Sequence, residues 1–133
     1  MFGIGAHYKG TGDVSTQFIK QNLAGCGWNA SEAPDLHQFF KSLSVGDIVY
    51  LKSYIPKKTG EIIFSILAIG FIRDDAILDA KSTERLVEVG RNVDWKVKGE
   101  FRIPAPEGKN NVRANTIYQE FHPEVQAEII KRL

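Results

Sequence analysis

The feature of the sequence that most constrains the fold is the apolar run IIFSILAIGFI at residues 62–72. It is too short to span a bilayer, because a transmembrane helix needs about 20 apolar residues. We therefore interpret it as a buried central strand. Gly70 inside the run predicts a bulge or a close approach of neighbouring backbone. The preceding segment VGDIVYLKSYI predicts a partner strand, and PKKTG predicts the hairpin loop between them.

The N-terminal third of the chain predicts one strand and two helices. FGIGAH is a candidate for a short first strand. Asp13 or Ser15 can cap a helix that runs to about Leu23. Pro34 suits the first position of a second helix. The apolar residues of that helix recur with helical spacing and predict its buried face: Leu36, Phe39, Phe40 and Leu43.

The segments after the central strand predict a loop, further strands and terminal helices. RDDAILDAKST is expected to be a connecting loop. RLVEVG and NVDWKV are expected to form one more strand or a bent pair, and FRI another strand. Asn115 can cap a short helix, TIYQEF, and Pro123 can open a last amphipathic helix. This order of elements indicates an α+β fold. The short, bent, glycine-marked strands predict a small barrel flanked by helices.

Composition limits the classes of protein to which the chain can belong. Its 133 residues fit one domain, 1–133, with no internal linker. A single cysteine excludes an internal disulfide and fits a reducing compartment. The N-terminus lacks the pattern of a secretory signal, so we expect a cytoplasmic protein without a membrane partner. The net charge of +1 predicts no general attraction to nucleic acid, although a local basic patch would be enough.

The sequence carries no strong signature of an enzyme, a metal site or a cofactor site. GIGAHYKGTG matches neither a dinucleotide-binding loop nor a phosphate-binding loop. Cys26 lies between two glycines and is expected to be structural. The acids Asp74, Asp75 and Asp79 are expected to be solvated loop residues. The three histidines lie too far apart to form a metal-binding spacing: His7, His37 and His122.

Aromatic and amide side chains are the remaining candidates for a binding site. Trp28 lies in a loop of small residues, where a flat ring can stack on a base, and Asn29 follows it. His7 and Tyr8 end the first strand. The residues that we predict to bind the ligand are Trp28, Asn29, His7, Tyr8, Asn92, Asp94 and Trp95.

Two groups of these residues allow more than one interpretation. Trp95 alternates with valines, so it can pack in the core while Asn92 and Asp94 face the ligand. The basic residues near the candidate site are either solvated surface groups or contacts to a nucleic-acid backbone. The four that we predict to make such contacts are Lys9, Lys52, Arg91 and Arg113.

Several motifs together resemble the PUA-like superfamily, and within it the EVE and YTH domains. GCGWNASE, VGDIVYL, AIGFI and NVDW follow one another in the order found in that superfamily. NNVRANTIYQEF followed by PEVQAEIIKRL resembles the asparagine-rich segment and terminal helix of YTH domains. In this resemblance Trp28 matches a tryptophan of the YTH cage for N6-methyladenine, Asn29 falls at a serine position, and Val93–Trp95 resembles the V/I-x-W strand.

The resemblance implies a PUA-like, EVE/YTH-type bent β-barrel flanked by helices. The loop that carries the second cage tryptophan in YTH domains is RDDAILDAKST here, with Ile77 and Leu78 as its only large apolar residues. The hairpin loop and the length are closer to compact EVE domains, which implies recognition of modified bases more generally.

We therefore predict a non-catalytic module that binds DNA or RNA by stacking one extruded, modified base on Trp28. The alternative is a sensor or enzyme for a free nucleotide or nucleoside that uses the same pocket. A third possibility is an interaction module without a ligand. The sequence does not specify the modification, the choice between DNA and RNA, or the oligomeric state.

Overall fold

A six-stranded mixed sheet forms the centre of the protein in the computed structural model, which describes all 133 residues. The strand order is β4-β7-β6-β5-β1-β8, and a small hairpin of β2 and β3 lies beside the sheet. The strands are β1 (Phe2–Gly5), β2 (His7–Tyr8), β3 (Gly12–Asp13), β4 (Leu23–Cys26), β5 (Ile48–Pro56), β6 (Ile62–Asp79), β7 (Val89–Ile103) and β8 (Ile117–Gln119). The helices are α1 (Ser15–Gln21), α2 (Pro34–Ser42) and α3 (Pro123–Ile130).

The apolar run at residues 62–72 lies in β6, the 18-residue strand between β5 and β7. The prediction of a buried central strand is therefore confirmed. Gly70 has the expected role, because a Cβ atom built there would lie 2.5 Å from the carbonyl oxygen of Asp94 on β7. Irregularities of register next to Gly70 and at two other places in β6 bend the strand pair. The sheet curls into a half-barrel, and with three helices the fold is α+β.

Residues 85–88, RLVE, are not a strand as predicted, because β7 begins at Val89, and NVDWKV and FRI belong to this one strand. Two further predictions about the C-terminal half were also wrong. RDDAILD is not a loop, because β6 continues to Asp79 and pairs again with β7 after a wide bulge. TIYQEF is not a helix, because Ile117–Gln119 form β8, an edge strand paired with β1. In both places hydrogen bonds to a distant strand replace the local structure that the sequence predicted.

The N-terminal elements agree more closely with the expectations. Helix α1 ends at Gln21 rather than Leu23, because Asn22 takes a left-handed conformation with φ of 54°. Asp13 accepts a hydrogen bond from the amide of Ser15, at 2.8 Å. Pro34 is the first residue of α2, as predicted, and Phe40 and Leu43 of its apolar stripe are buried.

Each face of the curled sheet has its own apolar core. The larger core lies under α1 and α2 and contains Phe18, Phe40 and Trp95. The smaller core lies under α3 and contains Tyr50 and Tyr118. The helices therefore cover both faces, and the ends of β1, β4 and β5 remain to form an open cleft.

Candidate functional site

An open cleft of about 1120 Å³ lies where β1, β4 and β5 end. One wall is the loop that begins at Gly27, after β4. The opposite wall is the outer end of β5, from Lys52 to Pro56, with residues 114–116 beside it. The hairpin of β2 and β3 forms a third side. The cleft thus collects residues from several distant parts of the chain.

Trp28 lines this cleft, with 44% of its surface exposed. Its backbone is fixed, because the carbonyl oxygen of Trp28 accepts a hydrogen bond from Nε2 of His37, at 2.7 Å. The thiol of Cys26 makes a longer contact, of 3.9 Å, to the same oxygen. An accessible ring on a fixed backbone can act as a stacking surface for a planar ligand.

Asn29 is exposed, but its side chain already has protein partners. Oδ1 of Asn29 accepts hydrogen bonds from Oγ of Ser31, at 2.8 Å, and from the amide of Glu32, at 2.9 Å. This arrangement closes the turn before α2. Asn29 is not among the residues that line the cleft, and its role in reading a base edge remains a prediction.

Tyr8 forms a wall of the cleft below Trp28's loop. Its hydroxyl donates to the carbonyl oxygen of Leu86, at 2.8 Å, and its ring packs against Phe18. Burial, and then the nearby Cys26, raises the pKa of Tyr8. A Cβ atom built at Gly27 would lie 3.2 Å from the Tyr8 ring, so a glycine lets loop and ring pack closely. Tyr8 thus contributes a fixed aromatic surface.

His7 and Lys9 lie on the exposed hairpin and line the cleft, as predicted. Gly10 and Gly12 both have positive φ, of 85° and 90°, which a side chain would strain. The glycines of YKGTGD thus form a tight turn that brings His7 and Lys9 to the edge of the cleft.

The charges of the cleft are balanced. Its cationic residues are Lys9, Lys52 and Arg85, and its acidic residues are Asp13, Glu32 and Glu88. A continuous track for phosphates requires an excess of cations, which this lining does not have. The lining therefore offers no long cationic contact surface.

The residues predicted at the start of β7 do not line the cleft. Trp95 is buried in the larger core, where its Nε1 donates to the carbonyl oxygen of Phe18, at 3.2 Å. The amide of Asn92 donates to the Asp74 carboxylate, at 3.1 Å and 3.2 Å. Asp94 is exposed and forms a salt bridge of 2.9 Å with Lys96. The prediction that Asn92, Asp94 and Trp95 line the same site as Trp28 is therefore corrected.

Arg91 is buried and therefore does not fit its predicted contact with a nucleic-acid backbone. Only 1% of the residue is exposed. Its guanidinium donates to four backbone carbonyl oxygens, those of Phe40, Leu43, Asp74 and Ala76. These bonds join the end of α2 to the bulged part of β6, so Arg91 is a structural residue.

Arg113 is also buried, and its predicted contact with nucleic acid is corrected for the same reason. It forms a salt bridge with Glu120, whose carboxylate also accepts from the hydroxyl of Tyr50, at 2.7 Å. The Tyr50 hydroxyl lies 2.8 Å from that of Tyr118. This network is enclosed between β5, β8 and α3.

Sequence reasoning missed several residues of the cleft. Tyr54 lines it at the end of β5, and its hydroxyl accepts a hydrogen bond of 2.6 Å from Asn111. Arg85 and Glu88 reach it from the turn between β6 and β7. Lys52 and Tyr54 lie two residues apart, and this spacing indicates that both side chains share one face of β5. No sequence pattern indicates that Arg85 and Glu88 line the cleft, because their position depends on a turn where the sequence predicts a loop and a strand.

No three His, Cys, Asp or Glu side chains converge closely enough to hold a metal ion. None of the helices has the length and apolar character needed to cross a membrane.

The hydrogen bond from His37 predicts the effect of a substitution on the Trp28 loop. In His37→Phe the carbonyl oxygen of Trp28 loses its donor, and we expect a loss of about 1–2 kcal/mol in the free energy of unfolding. Trp28 should also become more accessible to acrylamide in a Trp95→Phe background, where it is the single tryptophan. Equal quenching constants with and without His37 would show that the bond does not order the loop.

Comparison of the chain with protein-family models, curated proteins and solved structures finds no match. The arrangement of the cleft therefore carries the functional argument.

Proposed function

We propose that the protein is a PUA-like, EVE/YTH-type module that binds nucleic acid by stacking one extruded, modified base on Trp28. The observation that carries the proposal is the 44% exposed Trp28 ring beside a cleft of about 1120 Å³. Tyr8, Tyr54 and His7 add further planar groups to the same lining. The resemblance of GCGWNASE to a YTH cage segment supports the same use of Trp28.

The proposed mechanism is insertion of one base between Trp28 and the wall of the cleft. Stacking on an aromatic side chain contributes about 1–3 kcal/mol per base. Extrusion of a base from a duplex costs a few kcal/mol, so a modification must weaken pairing or add contacts to favour binding. The exposed cations Lys9 and Arg85 supply weak, salt-sensitive attraction for flanking phosphates.

A free nucleoside or nucleotide is the second candidate ligand for this cleft. The balance of Lys9, Lys52 and Arg85 against Asp13, Glu32 and Glu88 favours it, because a small ligand needs no long cationic track. Salt dependence distinguishes the two ligands. A nucleic acid should lose affinity steeply as salt rises, and a nucleoside should not.

The test is a titration of the Trp95→Phe variant with short oligonucleotides that contain or lack N6-methyladenine, 5-methylcytosine or 5-hydroxymethylcytosine. We expect a modified oligonucleotide to quench Trp28 fluorescence. Calorimetry should show that Trp28→Ala weakens binding by roughly tenfold to a hundredfold, the equivalent of one stacked base.

Phe121→Ala, which removes a 72% exposed ring outside the cleft, is the matched control and should bind normally. Quenching by nucleosides alone would favour the second candidate, and no response to either ligand would contradict the proposal.

A further inference from the structure

Lys52 is the buried charged residue of the cleft. Only 8% of the residue is exposed, although it lines the cavity. Its Nζ donates one hydrogen bond, of 2.7 Å, to the carbonyl oxygen of Arg113. An ammonium has three donors, so this single bond leaves two unused. The hydrogen bond therefore holds the Lys52 side chain in position, and two of its N–H groups remain available to a ligand.

No acidic group of the protein neutralises this ammonium. Lys52 takes part in none of the four salt bridges. The carboxylate of Glu120 is engaged by Arg113, and the centroid of the Tyr118 ring lies 5.7 Å from Nζ of Lys52. Burial lowers the pKa of Lys52 to about 8, so the amine is mostly protonated at neutral pH. A buried cation without a counter-ion is costly, and an incoming anion would relieve that cost.

The backbone opposite Lys52 leaves its ammonium accessible from the cleft. Gly5 on β1 lies beside Lys52 on β5 in the parallel register, and both line the cavity. A Cβ atom built at Gly5 would lie 3.4 Å from both Cε and Nζ of Lys52. A larger side chain at this position would therefore crowd the approach to the ammonium, and glycine keeps it open.

We propose that Lys52 is the anion-binding residue of the cleft and that it binds a phosphate ester of the nucleotide whose base stacks on Trp28. The choice of a nucleotide rests on the proposed function. A phosphate ester offers several acceptor oxygens for the two free donors of Lys52. The other cations of the cleft, Lys9 and Arg85, are exposed, so solvent and salt screen them more strongly.

The first experiment uses the unmodified protein with inorganic phosphate as the probe. The Cε–Hε resonance of Lys52 is followed by NMR in protein with ¹³C-labelled lysine and assigned with Lys52→Arg. We expect phosphate to shift this resonance in a saturable way and to raise the pKa of Lys52, while the Lys9 resonance changes little. A Lys52 resonance that phosphate leaves unchanged would overturn the proposal, whatever the base specificity of the cleft.

The second experiment compares a nucleoside, its 5′-monophosphate and a short oligonucleotide by calorimetry. The wild type should bind the monophosphate about tenfold tighter than the nucleoside, a preference that Lys52→Met abolishes. Lys41→Met, which removes an exposed lysine outside the cleft, is the matched control and should retain the preference. Gly5→Val should reduce it with Lys52 still present. A preference retained in Lys52→Met contradicts the proposal.

The two experiments also separate the possible failures and the possible sources of the phosphate. A phosphate effect on Lys52 without any nucleoside or oligonucleotide binding would leave the anion site standing and contradict the proposed function. Base-dependent quenching of Trp28 without a phosphate effect on Lys52 would support the proposed function and contradict the anion site. Tighter binding of the oligonucleotide than of the monophosphate identifies a nucleic-acid chain as the source, and equal binding identifies a free nucleotide.

Discussion

Arg91→Met is expected to lower the free energy of unfolding by about 3–5 kcal/mol, because it removes a buried cation on which four backbone carbonyls depend. Three of the bonds measure 3.0 Å to Phe40, 2.8 Å to Asp74 and 3.2 Å to Ala76, and a short fourth bond reaches Leu43. Methionine retains the volume of the stem but leaves these carbonyl oxygens without a donor. Urea unfolding followed by far-UV circular dichroism measures the loss.

The location of Arg91 explains why no acid is needed beside it. Two of its acceptors lie at the C-terminal end of α2, where the helix dipole favours a positive charge. The matched control is Arg73→Met, an exposed arginine of β6, which should change stability by no more than about 0.5 kcal/mol. If the two substitutions lower the free energy of unfolding equally, the hydrogen bonds from Arg91 to the four carbonyl oxygens do not stabilise the protein as we propose.

The second large effect is expected for Glu120→Ala, which should also cost about 3–5 kcal/mol. Glu120 is 1% exposed, and its carboxylate accepts from Arg113, from the Tyr50 hydroxyl and from the amide of His122. Its removal leaves the Arg113 guanidinium buried without a counter-ion. Chemical unfolding monitored by near-UV circular dichroism of the tyrosines reports both the loss and its location.

The control for this prediction is a partly exposed carboxylate that has two cationic partners, one more than Glu120. Glu128 forms salt bridges of 3.0 Å with Lys131 and 2.6 Å with Arg132 on α3. Glu128→Ala should cost only about 0.5 kcal/mol, because water screens exposed pairs. The double variant Arg113→Met/Glu120→Leu should lose less than Glu120→Ala alone, since it buries no unpaired charge. A larger loss in the double variant would contradict this explanation.

The elements that the sequence predicted well are those with a strong local pattern. The run at residues 62–72 could hardly be anything but a buried strand, and Pro34 with its apolar stripe marks α2. The elements that it missed depend on distant partners. Residues 73–79 are mostly polar and continue as a strand because β7 pairs with them, and β8 exists because β1 offers a free edge.

The candidate site could be predicted in part for the same reason. Trp28 was recognisable because a large ring in a loop of small residues has few structural uses, and it does line the cleft. Arg91 and Arg113 were assigned to the surface because arginines are rarely buried. Arg91 donates to backbone carbonyls of other elements, and Arg113 is paired with the carboxylate of Glu120. The one partner near either arginine in sequence is Asn111, whose Oδ1 accepts from Arg113 at 3.1 Å.

The position of β1 has a consequence for the order in which the protein folds. This strand is hydrogen-bonded to β5 on one side and to β8 on the other, so that Ile4 lies opposite both Leu51 and Ile117. Contacts between such distant segments close large loops and form slowly. The β5–β6 hairpin can assemble from adjacent residues, whereas β1 gains its second neighbour only when the C-terminal region arrives. The cleft, which needs both Gly5 and Thr116, is therefore completed late in folding, after the sheet that supports it.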